Sequence, residues 1–319
     1  MTDAADPAGS ADADAGAADR VPVYVVVVAY GDPGTLAGCL AALGPVDGLV
    51  VVDNSSSAAT RALALRAGAT YLDPGNNLGF AAAVNRGLAE VPLPDADVLL
   101  LNPDAEIGPA ALDVLRQALH ADADVACVAP DQHRPGSERP SPVCWPFPTP
   151  AGAWHEAVGF GRYARGWGYV IASVLLVRGA ALVDVGGLDE GFFLYAEEAD
   201  WERRATRRGW TVRFCPEASA SHVGAATDPD PARREVRFHA GVETYVRKWH
   251  GARGWHMYQL ATILTALRRA VLSPRSRRRS SLRLARLYAA GPLRSARHQG
   301  LIPVRPHHVP ALGPAPEAG

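Results

Sequence analysis

The hydrophobic positions of this chain fall into short runs, and the spacing of those runs is the first guide to its fold. Residues 21–30 read VPVYVVVVAY, a β-branched run without polar alternation. That is the pattern of a strand covered on both faces of a parallel sheet. Residues 35–43 take helical spacing, and a second apolar run at 49–52 stops on Asp53-Asn54-Ser55-Ser56. Residues 58–67 predict a helix and 70–72 a short strand; PGNNLGF then leads into a helix over 81–89. A fourth strand is expected at 98–101. Strand and helix alternating at this rhythm predict an α/β fold around an open, mostly parallel sheet.

The later part of the chain is less regular. Residues 109–120 predict a helix that starts on proline. Strands are expected at 125–129, 169–177 and 211–214, and a short helix at 180–185 stopped by Gly186-Gly187. Residues 130–150 are dense in proline and polar residues and are expected to form a long mobile loop. Residues 197–208 carry acids in the first turn, arginines in the last and Gly209 behind, a full set of helix signals.

Composition changes this picture at the two ends. The chain has 319 residues, 48% hydrophobic, with a formal net charge of −1. It is long enough for one large or two modest domains. The near-zero charge hides an asymmetry. Residues 1–20 are rich in Ala and Asp, carry no large apolar side chain beyond the first methionine, and are expected to be a disordered acidic tail. Residues 244–316 hold fourteen Arg or Lys and not one Asp or Glu. Such an end favours polyanions or an anionic membrane face. Cys39, Cys127, Cys144 and Cys215 form no Cys-x-x-Cys pair, which suggests a reducing compartment and no zinc cluster. No signal peptide pattern opens the chain. No window reaches the ~18–20 apolar residues needed to span a bilayer; residues 257–272 come nearest and are interrupted by Arg268-Arg269.

Candidate chemistry gathers at the ends of the predicted strands. Tyr30-Gly31-Asp32, Asp53-Asn54-Ser55-Ser56, Asn76-Asn77-Leu78-Gly79 and Asn102-Pro103-Asp104 all belong to one edge of a parallel sheet, the edge where nucleotides bind. Asp53 is either a ribose or base contact or, structurally, an Asx-turn or the cap of the following helix. Asn102-Pro103-Asp104 is either a turn or a metal or phosphate site. The G-x-G-x-x-G spacing and a Walker A sequence are both absent. A pyrophosphate here needs another counter-charge, which a divalent cation on Asp104 would supply. In FFLYAEEADWERRATRRG, Glu197, Glu198 and Asp200 either complement the helix dipole or include a carboxylate base, with Phe192, Phe193, Tyr195 and Trp201 walling a pocket. His222 alone is either a ligand or an ordinary histidine.

Taken in order, VVVVAYGDPGTLAGCL, VVDNSS, NNLGFAAAVNRG, LLLNPD, LLVRGAALVDVGGLDEGFFLYAEEADWERRATRRGW and SHVG resemble the family-2 glycosyltransferases with a GT-A fold, most closely their rhamnosyltransferase-like branch. The resemblance runs from about residue 23 to 255. It implies a GT-A domain over 21–245, with a nucleotide-binding part at 21–105 and an acceptor part at 106–245. A basic, partly helical extension would cover 246–319. It places Tyr30, Asp53, Asn54, Asn77, Gly79, Asn85 and Asn102 at the nucleotide-sugar donor. Asp104 stands in the family's Asp-x-Asp motif and would hold Mg2+ or Mn2+, with His222 helping. Glu198 stands where the family has its catalytic base, and Glu197, Asp200 and Trp201 lie on the acceptor side. Asn102 replaces an acid, Glu198 is one methylene longer than the usual Asp, and Ile171-Ala172-Ser173 replaces a Ser-Gly-Ala-like turn.

The resemblance therefore implies an inverting transfer of a sugar, rhamnose from dTDP-rhamnose in this branch, to a hydroxyl of a glycan or polyprenyl-linked acceptor in envelope polysaccharide synthesis. Two alternatives stand beside it. A sugar nucleotidyltransferase would need a glycine- and arginine-rich loop after the first strand, and GDPGTLAG has no arginine. A non-catalytic nucleotide-sugar-binding module would keep Asp53 and lose the chemistry of Asp104 or Glu198. Trp249, Trp255, Met257, Tyr258 and the arginines of the basic end point to an anionic membrane surface met through 246–300, on the cytoplasmic face of the plasma membrane. No nucleic-acid recognition module is present.

Overall fold

The computed structural model describes residues 20–137, 139–161, 168–224 and 230–303, so the expected acidic tail lies outside the described residues apart from Arg20. Strand β1 (Val23–Ala29) pairs in parallel with β2 (Gly48–Asp53) and β4 (Asp97–Leu101), and β3 (Thr70–Leu72) adds outside β2. Helices α1 (Pro33–Leu43), α2 (Ala58–Arg66) and α3 (Phe80–Leu88) make the crossovers. The uniform apolar run of β1 has a simple cause. Val26 and Val28 enter one core with Val50, Val52 and α3, whereas Val23, Val25 and Val27 enter a second core with α1 and α2. Both faces are covered, so both sets of alternate residues must be apolar.

Beyond β4 the sheet becomes mixed. β5 (Ala105–Glu106) and α4 (Pro109–His120) lead to β6 (Val125–His133), β7 (Pro140–Ser141), β8 (Cys144–Trp145) and α5 (Pro150–Ala157). β9 (Tyr169–Val170), β10 (Val174–Val177), α6 (Gly179–Val185), α7 (Glu197–Arg207) and β11 (Thr211–His222) follow. β10 runs antiparallel between β4 and β6, β11 lies parallel to β6, and the sheet order is β3-β2-β1-β4-β10-β6-β11-β5. The layout is α/β with helices on both faces, as expected.

Three local expectations change. The 130–150 segment is not one loop: β6 continues to His133, β7 pairs back on it, and β8 pairs with β9. The strand expected at 169–177 breaks at Ile171-Ala172-Ser173 into β9 and β10. The strand expected at 211–214 runs on to His222 through an irregularity between Cys215 and Ser219. Its second half alternates polar exposed and small buried residues, a weak apolar signal that cross-strand pairing with β6 and β5 makes good.

Helix α8 (Pro231–Leu272) is broken at Gly251, whose φ of 65° lies in the left-handed region glycine tolerates. Helices α9 (Arg275–Ala290) and α10 (Pro292–His298) fold back against it. Trp255 and Tyr288 from these helices share a buried cluster with Phe192, Ala196, Ala199 and Tyr245. The boundary expected at 245 thus falls inside α8 and inside this cluster.

Candidate active site

The register of the parallel strands aligns their carboxyl ends. Ala29 lies beside Asp53 and Val27 beside Leu101, which sets Tyr30, the Asp53 turn and Asn102–Asp104 along one edge. Tyr30 is exposed. Asp53 is fully buried and accepts hydrogen bonds from the Ser55 and Ser57 backbone N–H groups (2.9 and 2.7 Å) and from the Tyr71 hydroxyl (2.9 Å). Burial and the Asp53 carboxylate push the Tyr71 hydroxyl up to about 12. In this arrangement Asp53 builds an Asx-turn between β2 and α2, and Ser57, not Asp53, caps the helix.

The asparagines expected at the donor are used to join loops. Asn54 Nδ2 donates to the Gly79 carbonyl (3.0 Å) and its Oδ1 accepts from Leu78 N–H (3.3 Å). Asn77 Oδ1 accepts from Gly79 N–H (2.9 Å). Asn85 Nδ2 donates to the Leu188 carbonyl (2.8 Å) and Glu190 Oε1 (2.9 Å), while its Oδ1 accepts from Leu188 N–H (2.9 Å). Gly79 has φ 85°, and a Cβ there would stand 2.3 Å from the Phe193 carbonyl oxygen, which also accepts from Phe80 N–H (2.7 Å). NNLGFAAAVNRG and GGLDEGFF therefore occur together because they touch: Asn85 clamps one end of the 186–193 loop and Gly79 the other. Asn85 is accordingly a loop clamp. The first N–H of α3 is thus given to the Phe193 carbonyl.

On the far side of β4, pairing of β5 with β11 brings together residues distant in sequence. His222 Nε2 lies 3.1 Å from Asp104 Oδ1, with the carboxylate almost wholly buried and the imidazole partly exposed. That is a hydrogen-bond distance, and it sets two side chains of metal-ligating type next to each other. Among the described residues no group of three or more His, Cys, Asp or Glu side chains is placed to hold a metal alone. Asn102 N–H donates to the Ser173 carbonyl (2.8 Å), and Ser173 Oγ donates to Gln132 Oε1 (2.7 Å). Gln132 and Ser173 are buried, and Gln132 Nε2 has no partner among the described residues. Gln132 carried no sequence signal, since it lies in the segment expected as a loop.

The acidic start of α7 is set up by an unusual turn. Tyr195 and Ala196 both have φ 70°, a left-handed conformation that costs non-glycine residues about 1–2 kcal/mol each. The turn is held from behind: a Cβ at Gly241 of α8 would lie 2.3 Å from the Tyr195 carbonyl oxygen. Glu197 is buried, whereas Glu198 is half-buried. Among the described residues, Glu197 Oε2, Glu198 Oε2 and Glu202 Oε1 lack partners. Burial raises Glu198 to about 7, against the pull of the backbone N–H groups at the helix start. Burial, then Glu198, hold Glu197 well above the usual carboxylate range. Burial does the same to Glu202, which also accepts from Val170 N–H (2.9 Å).

Asp200 and Trp201 have structural partners. Asp200 is fully buried and bonded to Arg204 Nε (3.0 Å), Lys248 Nζ (2.7 Å) and Trp249 Nε1 (2.9 Å). Trp201 donates to the Gly186 carbonyl (2.8 Å) from within the core. Of the acids in this stretch, Glu198 alone combines partial exposure with a proton affinity near neutrality, the combination a general base needs.

Comparison with known proteins bears on the family and the fold. The profile of the family described as Glycosyl transferase family 2 matches residues 24–165. The chain is 31% identical to the N-acetylglucosaminyl-diphospho-decaprenol L-rhamnosyltransferase of Mycobacterium tuberculosis, over 82% of this chain and 96% of that one. It is 27% identical to the low-salt glycan biosynthesis hexosyltransferase of Haloferax volcanii, over 62% and 66% of the two chains. Among solved structures, a mannosyltransferase of Pyrobaculum calidifontis in complex with GDP-Man and Mn2+ superposes with a TM-score of 0.54 at 16% identity, covering 87% of this chain and 83% of that one. The glucosyl-3-phosphoglycerate synthase of Mycobacterium tuberculosis gives 0.51 at 16% identity, over 71% and 79%.

Proposed function

The chain belongs to glycosyl transferase family 2, and from that premise we propose that it moves rhamnose from dTDP-rhamnose to a hydroxyl of a polyprenyl-diphosphate-linked saccharide, inverting the anomeric carbon. The observation that carries the reading is Glu198: half-buried, at a strained helix start, with one oxygen unpartnered among the described residues and a pKa of about 7. Glu198 takes the proton of the acceptor hydroxyl as that oxygen attacks the anomeric carbon in line. The bond to the diphosphate breaks on the opposite face, and the nucleoside diphosphate leaves with the electron pair. The clamps at Gly79 and Asn85 fix the loop that leads into the turn before Glu198, so the position of the base is set before substrate arrives. Asp104 and His222 would hold Mg2+ or Mn2+, which when bound neutralises the charge on the departing diphosphate. Tyr30 and Asn102, at the same edge, are assigned to the donor.

The test is a panel of nucleotide sugars with and without a polyprenyl-diphosphate-linked N-acetylglucosamine acceptor. Free dTDP should form from dTDP-rhamnose only when the acceptor is present. Nucleotide exchange with pyrophosphate instead would identify a nucleotidyltransferase, and donor binding without turnover a binding module; either refutes the proposal.

We further infer that the protein works on the cytoplasmic face of an anionic membrane. No described helix is long and apolar enough to cross a membrane. Met257, Leu260, Leu264, Leu267 and Val271 recur along one face of α8, all exposed, and exposed Arg275, Arg277, Arg278 and Arg279 follow. An apolar stripe bordered by arginines supports interfacial binding, with each engaged Arg adding about 1 kcal/mol. The protein should float with phosphatidylglycerol vesicles at low salt and detach at high salt. Leu264→Glu/Leu267→Glu/Val271→Glu should not float. A lipid-free dimer broken by these changes, with flotation unaltered, would show that the stripe binds a second copy instead.

A further inference from the structure

Helices α8 and α10 and the 190–194 loop enclose a cavity of about 180 Å3 that is separate from Asp104 and His222. Arg237, Arg247 and Arg297 line it, together with Leu194, Leu293 and Ile302. A wider recess of about 630 Å3 adjoins it, sharing Arg247 and Arg297 and adding Arg294 and His298. Glu190 and Glu243 are the acids in the two linings. Both have protein donors: Glu243 accepts from Arg247 Nε (2.8 Å) and Leu293 N–H (2.9 Å), and Glu190 from Asn85 (2.9 Å). Four arginines against two engaged carboxylates leave the concavity positively charged. Two of the arginines are held in place, Arg237 Nε by the Leu301 carbonyl (3.2 Å) and Arg247 by stacking over Trp255 (5.3 Å). Fixed guanidinium groups facing a small cavity suit phosphate oxygens, which they bind in pairs. The apolar wall beside them suits a hydrocarbon.

We propose that this concavity binds the diphosphate of the lipid-linked acceptor, with the first prenyl units against Leu293 and Ile302. The proposal rests on the acceptor class inferred above. The cavity shares its wall with the catalytic turn. Phe193 and Leu194 line it just before Glu197-Glu198, and Gly241 both lines it and presses on Tyr195. An acceptor anchored here by its diphosphate presents its sugar to a base whose position the same wall defines.

Steady-state kinetics of Arg294→Gln/Arg297→Gln test it. Losing charged hydrogen bonds to phosphate should raise the acceptor KM about ten- to hundredfold, with the donor KM unchanged. Inorganic pyrophosphate should compete with the acceptor in the wild type and much less in the variant. A raised donor KM with an unaltered acceptor KM would assign the arginines to the nucleotide and overturn the proposal, as would unaltered values for both. If the wild type turns over no diphosphate-linked acceptor, the functional reading itself fails. Calorimetry with pyrophosphate then separates the cases: binding lost in the variant leaves an anion site for another ligand, and unaltered binding removes the site.

Discussion

Replacing Gly241 with alanine adds one methyl group at the point where α8 presses on the turn that carries Glu198. The new Cβ would lie 2.3 Å from the Tyr195 carbonyl oxygen, 2.9 Å from its carbon and 3.1 Å from the Leu194 oxygen. All three are backbone atoms, so no side chain can swing aside, and α8 and the turn must separate by roughly 1 Å to reach ordinary contact. Alanine gains about 1 kcal/mol over glycine in a helix interior, and overpacking costs about 1–3 kcal/mol, so the net loss of stability is only about 0–2 kcal/mol. At about 2–4 °C per kcal/mol for a domain of this size, Tm should fall by no more than about 8 °C. Catalysis is the more sensitive quantity. Tyr195 and Ala196 already occupy left-handed conformations and have little room to adjust, so the shift passes to Glu198. A misplacement of about 1 Å is worth about 10²-fold in rate. The assay is kcat under saturating donor and acceptor at 25 °C, beside a thermal melt and near-UV circular dichroism. The expected result is a folded protein with kcat reduced about a hundredfold. Full kcat in a folded Gly241→Ala protein would refute the idea that this contact positions the base.

Other outcomes follow from the same geometry. In the wild type, kcat should rise with pH through about 7, because burial holds the proton on Glu198 below that value and only the ionised form accepts one. Glu198→Gln should remove that limb and lower kcat by about 10²–10⁴. Glu198 also binds its proton more tightly folded than unfolded, so its contribution to stability is present below the unfolded value of 4.5 and is lost as pH rises through about 7. Urea denaturation at pH 5 and pH 8 should show that slope, reduced in Glu198→Gln. Asp200→Ala takes one partner from each of Lys248, Arg204 and the Trp249 indole, while Lys248 keeps Asp189 and Arg204 keeps the Val185 and Gly187 carbonyls, and it should cost about 1–3 kcal/mol in urea; a loss of activity at wild-type stability would instead make Asp200 part of the chemistry. Asp104→Asn should abolish turnover and Mn2+ binding by calorimetry while keeping a hydrogen-bonding partner for His222. Undiminished wild-type turnover in EDTA would remove the metal from the proposal.

Much of the fold is readable from neighbours along the chain. The β-branched run of β1, the apolar stop at Asp53, the proline start of α4 and the charge gradient of α7 are local signals, set within a few residues of each other. They suffice for the order of elements and for the edge on which the polar residues gather. The resemblance to a glycosyltransferase family was equally legible, since it rests on motifs in a fixed order. What a polar side chain does is a different matter, because it depends on which distant segment reaches it first. Asn85 sits in a motif that suggests a donor contact, yet Leu188 and Glu190 take its amide. Asp200 lies two residues from Glu198, and only the arrival of α8 with Lys248 and Trp249 makes it a buried anchor rather than a candidate base. His222 reaches Asp104 because the weakly patterned second half of β11 pairs with β5. The arginine-lined cavity exists only where α10 folds back on α8. Helical and strand periods are properties of a few consecutive residues, whereas burial, proton affinity and hydrogen-bond partners are properties of the assembled core.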